Sequence, residues 1–413
     1  MASLLFNRKK IGVLIWVGFT FGLILFFIYS SITAVAGAVT STCPTFADGV
    51  KIGEVETESI NEISGLAASR KNEDVLWVHN DSGDSARFYA LNVQGELLGT
   101  FNLQGASATD WEDMAIGPGS VSGDDYLYLA DIGDNSRSRT SIRVYRTLEP
   151  AVSADQGPVN VNIADWDELP MQYPASTKYD AETLLIDPVS TDLFIVTKDR
   201  AGEGIAHVFR NPAPHIASVM VTLELVDDIT FSQLLTGGDV SPTGNAIILR
   251  SYSSGLYWQR AEGTDLWDAF SNSSCSVPIE IEPQGEALAF TADGYGYLTV
   301  SEGINQPIYF YAQQFELSVT TELSDSGTVT SNPSGINCGE DCQETFDYGT
   351  LVTLTANANR GFLFTGWGGN CEDSAAECVL TIDEAKSVNA YFNWVRFLPF
   401  IFLRFQAGGS ILG

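Results

Sequence analysis

Between residues 50 and 315 the apolar positions fall into short runs of β-branched and aromatic residues, closed by Gly, Asp, Asn and Ser and showing little helical period. One pattern recurs five times. It opens with a polar-to-apolar segment at Glu62–Ala67, Asp110–Ala115, Asp180–Leu185, Thr236–Ser241 and Gln284–Ala289. A hydrophobic strand with a polar tip follows (VLWVHNDSGD, YLYLADIGDN, LFIVTKDR, AIILRSYS, GYLTVSEG), then an aromatic-rich strand (RFYALN, SIRVYR, AHVFR, GLYWQR, PIYFYA). Repeating units of four short strands are the signature of propeller blades, so residues 48–314 predict an all-β propeller with five visible blades and room for a sixth; a β-sandwich is the fallback. LLGTFNL and VMVTLELV supply fourth strands, the long second interval has room for VNVNIADW, and Lys51–Val55 is placed to pair with the last blade and close the ring.

From about Phe315 the chain turns to Thr, Ser, Gly and Asn with alternating apolar positions, which predicts a small β module over 315–393. The hydrophobic tail 394–413 contains Pro399 and is too short for a spanning helix, so it reads as an extra strand. At the other end, Arg8, Lys9 and Lys10 precede an apolar run from Ile11 to Tyr29, and small residues follow at 34–38. Residues 1–40 therefore read as an export signal, either cleaved or kept as a membrane anchor, with the rest of the chain extracytoplasmic.

The charge sharpens this picture: 21 Lys+Arg against 52 Asp+Glu leave a formal charge of −31, which disfavours nucleic acid and anionic membrane surfaces as partners. The expected partner is an unidentified extracellular ligand or surface component, with the membrane engaged through the N-terminal segment if that stays uncleaved. All six cysteines follow the apolar run, which fits an oxidising compartment. Cys338 with Cys342 and Cys371 with Cys378 suggest two local disulfides, with zinc as the rival reading. Cys43 and Cys275 remain as a candidate third pair.

WVHNDSGD, DWEDMA, YLADIGDN, YDAETLLID, GEALAFTADG and LTVSEG resemble a bacterial secreted propeller family grouped with TolB-like and phytase-like propellers, over residues 55–312. The resemblance implies the fold and no settled activity. GTVTS, INCGEDC, FTGW and KSVNAYF resemble the divergent internalin B-repeat-like modules of bacterial surface proteins, which implies a spacer or adhesive accessory displayed at the cell surface.

Chemistry is expected where the blade openings converge. Aligning them places Glu112, Glu182 and Glu286 in one column, with Ser64 and Gly238 in the other two blades; two residues earlier stand Glu62, Asp110, Asp180, Thr236 and Gln284. Positions two apart on a strand share a face, so Glu112, Glu182, Glu286, Asp110 and Asp180 predict an acidic collar, joined at the second-strand tips by Asp131, Asn80, Lys198 and Glu302. Crowded carboxylates favour a hard cation, and Ca²⁺ is the expected one. His79, His207 and His215 form no HExxH motif, and no nucleophile elbow or phosphate loop appears. The reading is an exported ligand-binding or interaction protein, with a metal-dependent extracellular hydrolase of phosphoesterase or lactonase type as the alternative.

Overall fold

A computed structural model describes residues 43–371 and 375–395. The export segment and most of the hydrophobic tail lie outside the described residues. Among those described, no helix is long and apolar enough to cross a membrane.

The chain is all-β. Five antiparallel units follow one another, each beginning with a strand buried on both faces: Ile63–Ala68, Trp111–Pro118, Ala181–Ile186, Leu235–Val240 and Gly285–Phe290. Each opening strand pairs with the next strand in sequence, and that with a third, as the recurring pattern predicts. The fifth unit takes its outer strand from the N-terminal side of the chain, where Val50–Val55 pairs antiparallel with Gln306–Thr321. Cys43–Cys275 ties the same N-terminal stretch to the outer strand of the fourth unit, Cys275–Val277.

Burial explains the order of the units. Trp77, Phe88, Trp111 and Leu127 fill the space between the first and second sheets; Tyr128, Leu184 and Phe209 that between the second and third. Phe194, Leu249 and Trp258 join the third to the fourth, Tyr257, Leu288 and Tyr297 the fourth to the fifth, and Leu66, Tyr89 and Leu298 the fifth back to the first. Each sheet is thus sandwiched between two neighbours, and the series closes on itself. Polar links reinforce it: Ser64 donates to the Glu112 carbonyl, Leu184 N–H to Asp113 (2.9 Å), Arg260 to Asp187 (2.8 Å), Phe290 N–H to Asp239 (2.8 Å) and Gly303 N–H to the Asn61 carbonyl (2.8 Å).

Two expectations are corrected. Residues 159–163 do not complete the second unit; Val159–Ile163 lies parallel to Leu97–Leu103 on the outer edge of the first sheet, and Asp167–Gln172 is the second unit's fourth strand. Pro170 in that strand obscures it as a strand candidate, and it is tolerated toward the sheet's outer side where fewer ladder bonds are needed. The fourth opening strand also sits two residues out of the expected register, as described below.

The C-terminal module packs two sheets around Leu317, Val329, Val352, Trp367, Val388 and Phe392. No linker precedes it, because the 16-residue strand Gln306–Thr321 completes the fifth unit and runs on into the module. Cys338–Cys342 and Cys371–Cys378 are disulfides, which excludes the zinc reading for these thiols.

Candidate functional site

A β-bulge interrupts every opening strand at the same place. The register slips between Ile63 and Gly65, Trp111 and Asp113, Ala181 and Thr183, Leu235 and Gly237, and Gly285 and Ala287. The extra residues are Ser64, Glu112, Glu182, Thr236 and Glu286, each at most 3% exposed. A bulge frees one residue from the ladder and re-aims its side chain. Thr236, and not Gly238, is the fourth member of the column. The gap-free alignment of the openings missed it because Thr-Gly-Gly-Asp carries no acidic marker at the bulge.

Ser64 and Thr236 spend their hydroxyls on backbone carbonyls of the next unit, Glu112 and Gly285 respectively. Glutamates are left at the other three bulges. Asp81, Asp110 and Glu112 each offer a carboxylate oxygen, all within 4.8 Å of one another, and Glu112, Asp180 and Glu182 do the same. Oxygens sharing one ion at about 2.4 Å can be no more than about 4.8 Å apart, so both triads satisfy the distance condition for a common cation. Glu286 belongs to neither triad; it lies close enough to Glu302 and Glu182 to raise both carboxyls. Of the column two residues earlier, Glu62 and Gln284 are exposed, and only Asp110 and Asp180 reach these triads.

Gly133 makes this crowding possible. A Cβ there would lie 1.9 Å from Glu112 Oε1 and 2.6 Å from Asp110 Oδ2. Its backbone N–H donates to the Asp110 carbonyl at 3.1 Å, fixing the loop over the carboxylates.

The electrostatics follow from burial and mutual repulsion. Burial and the neighbouring Glu182 hold the Glu112 carboxyl well above the usual range. Burial raises Glu182 to about 7, although Lys198 opposes the shift. Asp81 is likewise raised by burial to about 7, and Glu302 by burial and its Glu286 partner to about 9. Desolvation alone would lower Lys198, but its 2.7 Å ion pair with Glu182 wins and keeps it charged. Glu182 Oε1 receives Lys198 and, at 3.4 Å, Arg200, whereas the buried Oε2 has no partner among the described residues. Asp180 is held by Arg200 (2.5 Å) and the Asp134 N–H (2.8 Å).

The second-strand tips divide. Asn80, Asp131 and Ser301 occupy equivalent positions opposite the start of each bulge and accept backbone N–H groups from the chain entering it: Asn61 and Glu62, Asp110, and Gln284. Asn80 also donates to Ser59 and Asp84, and Asp131 is paired with Arg139 (2.8 Å) and Arg143 (3.7 Å). Both side chains brace the site from below. Lys198 and Glu302 lie one residue further on, and so do Asp81 and Tyr252. Tyr252 accepts from Lys198 at 3.1 Å and was not among the sequence candidates. Only the strand register exposes it.

The remainder of the chain can be compared with known proteins. Residues 317–396 match the divergent InlB B-repeat domain. The match covers the C-terminal module and stops short of the carboxylate site; no curated protein matches the chain. Two of the three disulfides, Cys338–Cys342 and Cys371–Cys378, lie within this repeat-like domain.

Proposed function

We propose that residues 48–314 form a five-bladed propeller, exported from the cytoplasm, whose acidic axial mouth binds a divalent cation, Ca²⁺, and through it a ligand. The cyclic packing of the five sheets supports the propeller. Three disulfides and the basic-then-apolar start support export into an oxidising space, and the repeat-like domain supports surface display with that domain as a spacer.

The observation that carries the cation is the common bulge, which brings glutamates from separate units to one place and leaves the buried Glu182 Oε2 unpartnered. A divalent cation would relieve both the repulsion and the missing partner. Calorimetric titration with Ca²⁺ should show about one site per chain, weakened at least tenfold in Asp81→Asn/Asp110→Asn. Absence of heat in the wild type, with the protein folded, would refute the site.

The hydrolase reading has the buried carboxylates beside the proposed cation as its candidate machinery. Turnover of phosphoester or lactone substrates that requires both Ca²⁺ and Glu182 would select it over simple binding.

A further inference from the structure

Where the fourth and fifth units meet the C-terminal module lies an open cavity of about 350 Å³, lined by none of the carboxylates of the triads. It exists because Gln306–Thr321 is one strand shared by both bodies. Tyr295 stacks on Tyr348 of the module with ring centres 3.8 Å apart, which fixes the two walls against each other.

The lining has a distinct chemistry. Phe46, Tyr257, Phe290, Tyr295 and Phe315 supply five aromatic rings, and Asp293, Asp383 and Glu384 supply three carboxylates. Among the described residues no lysine or arginine lines the cavity. Of its neutral polar side chains, Tyr257 donates to Gln259 (2.8 Å) and Gln259 to the Asn245 carbonyl (2.8 Å), while Thr243 and Gln313 also line the space. The cavity therefore presents aromatic rings and three carboxylates together with neutral hydroxyl and amide groups. An anion would be repelled by the three carboxylates. A cation with an apolar stem satisfies both surfaces, with its charge at the carboxylates and its stem along the rings. Asp383 and Glu384, both exposed, pair with the Lys386 ammonium at 2.5 and 3.1 Å, so these carboxylates accept an ammonium.

We propose that this junction cavity is a binding subsite for an alkylammonium group, such as the side chain of a lysine on a partner protein. The site is independent of the cation at the mouth. It needs both bodies, since Phe46, Tyr257, Phe290 and Asp293 come from the sheets of the first and Asp383 and Glu384 from the second.

The test uses the full-length chain and three probes: N-acetyl-lysine N-methylamide, its uncharged counterpart N-acetyl-norleucine N-methylamide, and cadaverine. Binding is read by calorimetry or by NMR shifts of the aromatic signals. The lysine derivative should bind about tenfold more tightly than the norleucine one, and Asp383→Asn/Glu384→Gln should weaken it by a similar factor. Tyr295→Ala should weaken it as well. A control that removes two charges at a different surface, Glu73→Gln/Asp155→Asn, should leave binding unchanged. Cadaverine binding equal to the lysine derivative would identify free amines as the ligand source, and weaker binding would favour a peptide. Equal affinity for norleucine, full affinity in the folded Asp383/Glu384 variant, or equal loss in the control would overturn the proposal.

Discussion

Glu182 shows how a single side chain sets the behaviour of the mouth. It is 2% exposed, one oxygen is committed to Lys198, and the other has no partner among the described residues. Burial raises its pKa to about 7, as it does for Asp81, while that of Glu302 rises to about 9 through burial and the neighbouring Glu286. For a carboxyl the raised folded value means that the protonated form is the one the fold prefers. The contribution of these groups to stability is therefore complete below about pH 4, where they are protonated in the folded and unfolded chains alike. It is lost as pH rises through about 7 for Asp81 and Glu182 and about 9 for Glu302. Metal-free protein should accordingly melt at progressively lower temperature across that window, and Asp81→Asn/Glu182→Gln should flatten the decline. Differential scanning fluorimetry over pH checks this, and an unaltered slope in the double variant would contradict it. Gly133 is the companion case. Gly133→Ala places a methyl group on the Glu112 and Asp110 carboxylates, and should cost about 1–3 kcal/mol by denaturant unfolding while abolishing Ca²⁺ binding.

At the scale of the strand, the recurring opening segments were legible because each carries the same two properties: an apolar stretch buried on both faces, and a polar residue just ahead of it. Alternation revealed the second and third strands for the same reason. The bulges were not legible, since an extra residue in a ladder leaves no mark in hydrophobic period, and without them Thr236 and Tyr252 could not be placed in register. Val159–Ile163 misled because its alternation fits any sheet edge, and only the structure shows it parallel to Leu97–Leu103. The separation of bracing from binding residues was also hidden: Asn80 and Asp131 look like ligands in sequence, but their side chains are committed to backbone N–H groups and arginines. The cysteines were readable from spacing and compartment alone. Of the three disulfides, Cys43–Cys275 spans 232 residues and anchors the outer strand of the fourth unit to the N-terminal stretch beside the fifth. Cys43→Ser/Cys275→Ser should lower stability by about 2–5 kcal/mol without altering the mouth, as urea unfolding paired with Ca²⁺ titration would show. A variant as stable as the wild type would mean that strand pairing alone holds the closure.

For the whole molecule, two features act together. The five sheets pack in series, each sharing a core with the sheet before and after it, and this brings Asp81, Asp110, Glu112, Asp180 and Glu182 together. The strand Gln306–Thr321 then carries the repeat-like domain directly out of the fifth sheet, so that domain is held by continuous backbone and by the Tyr295–Tyr348 stack. The excess of 31 negative charges surrounds this assembly and favours cations in its neighbourhood. The central claim is that carboxylates from separate sheets act as one cation site, and a thermal-shift titration with Ca²⁺ tests it most directly. Ca²⁺ at about one hundred times its dissociation constant should stabilise the wild type by about 2.7 kcal/mol and raise its melting temperature. The variant Glu112→Gln/Glu182→Gln/Glu286→Gln should fold and show no such rise. A shift of equal size in the folded triple variant would contradict the account and move the ion away from the mouth.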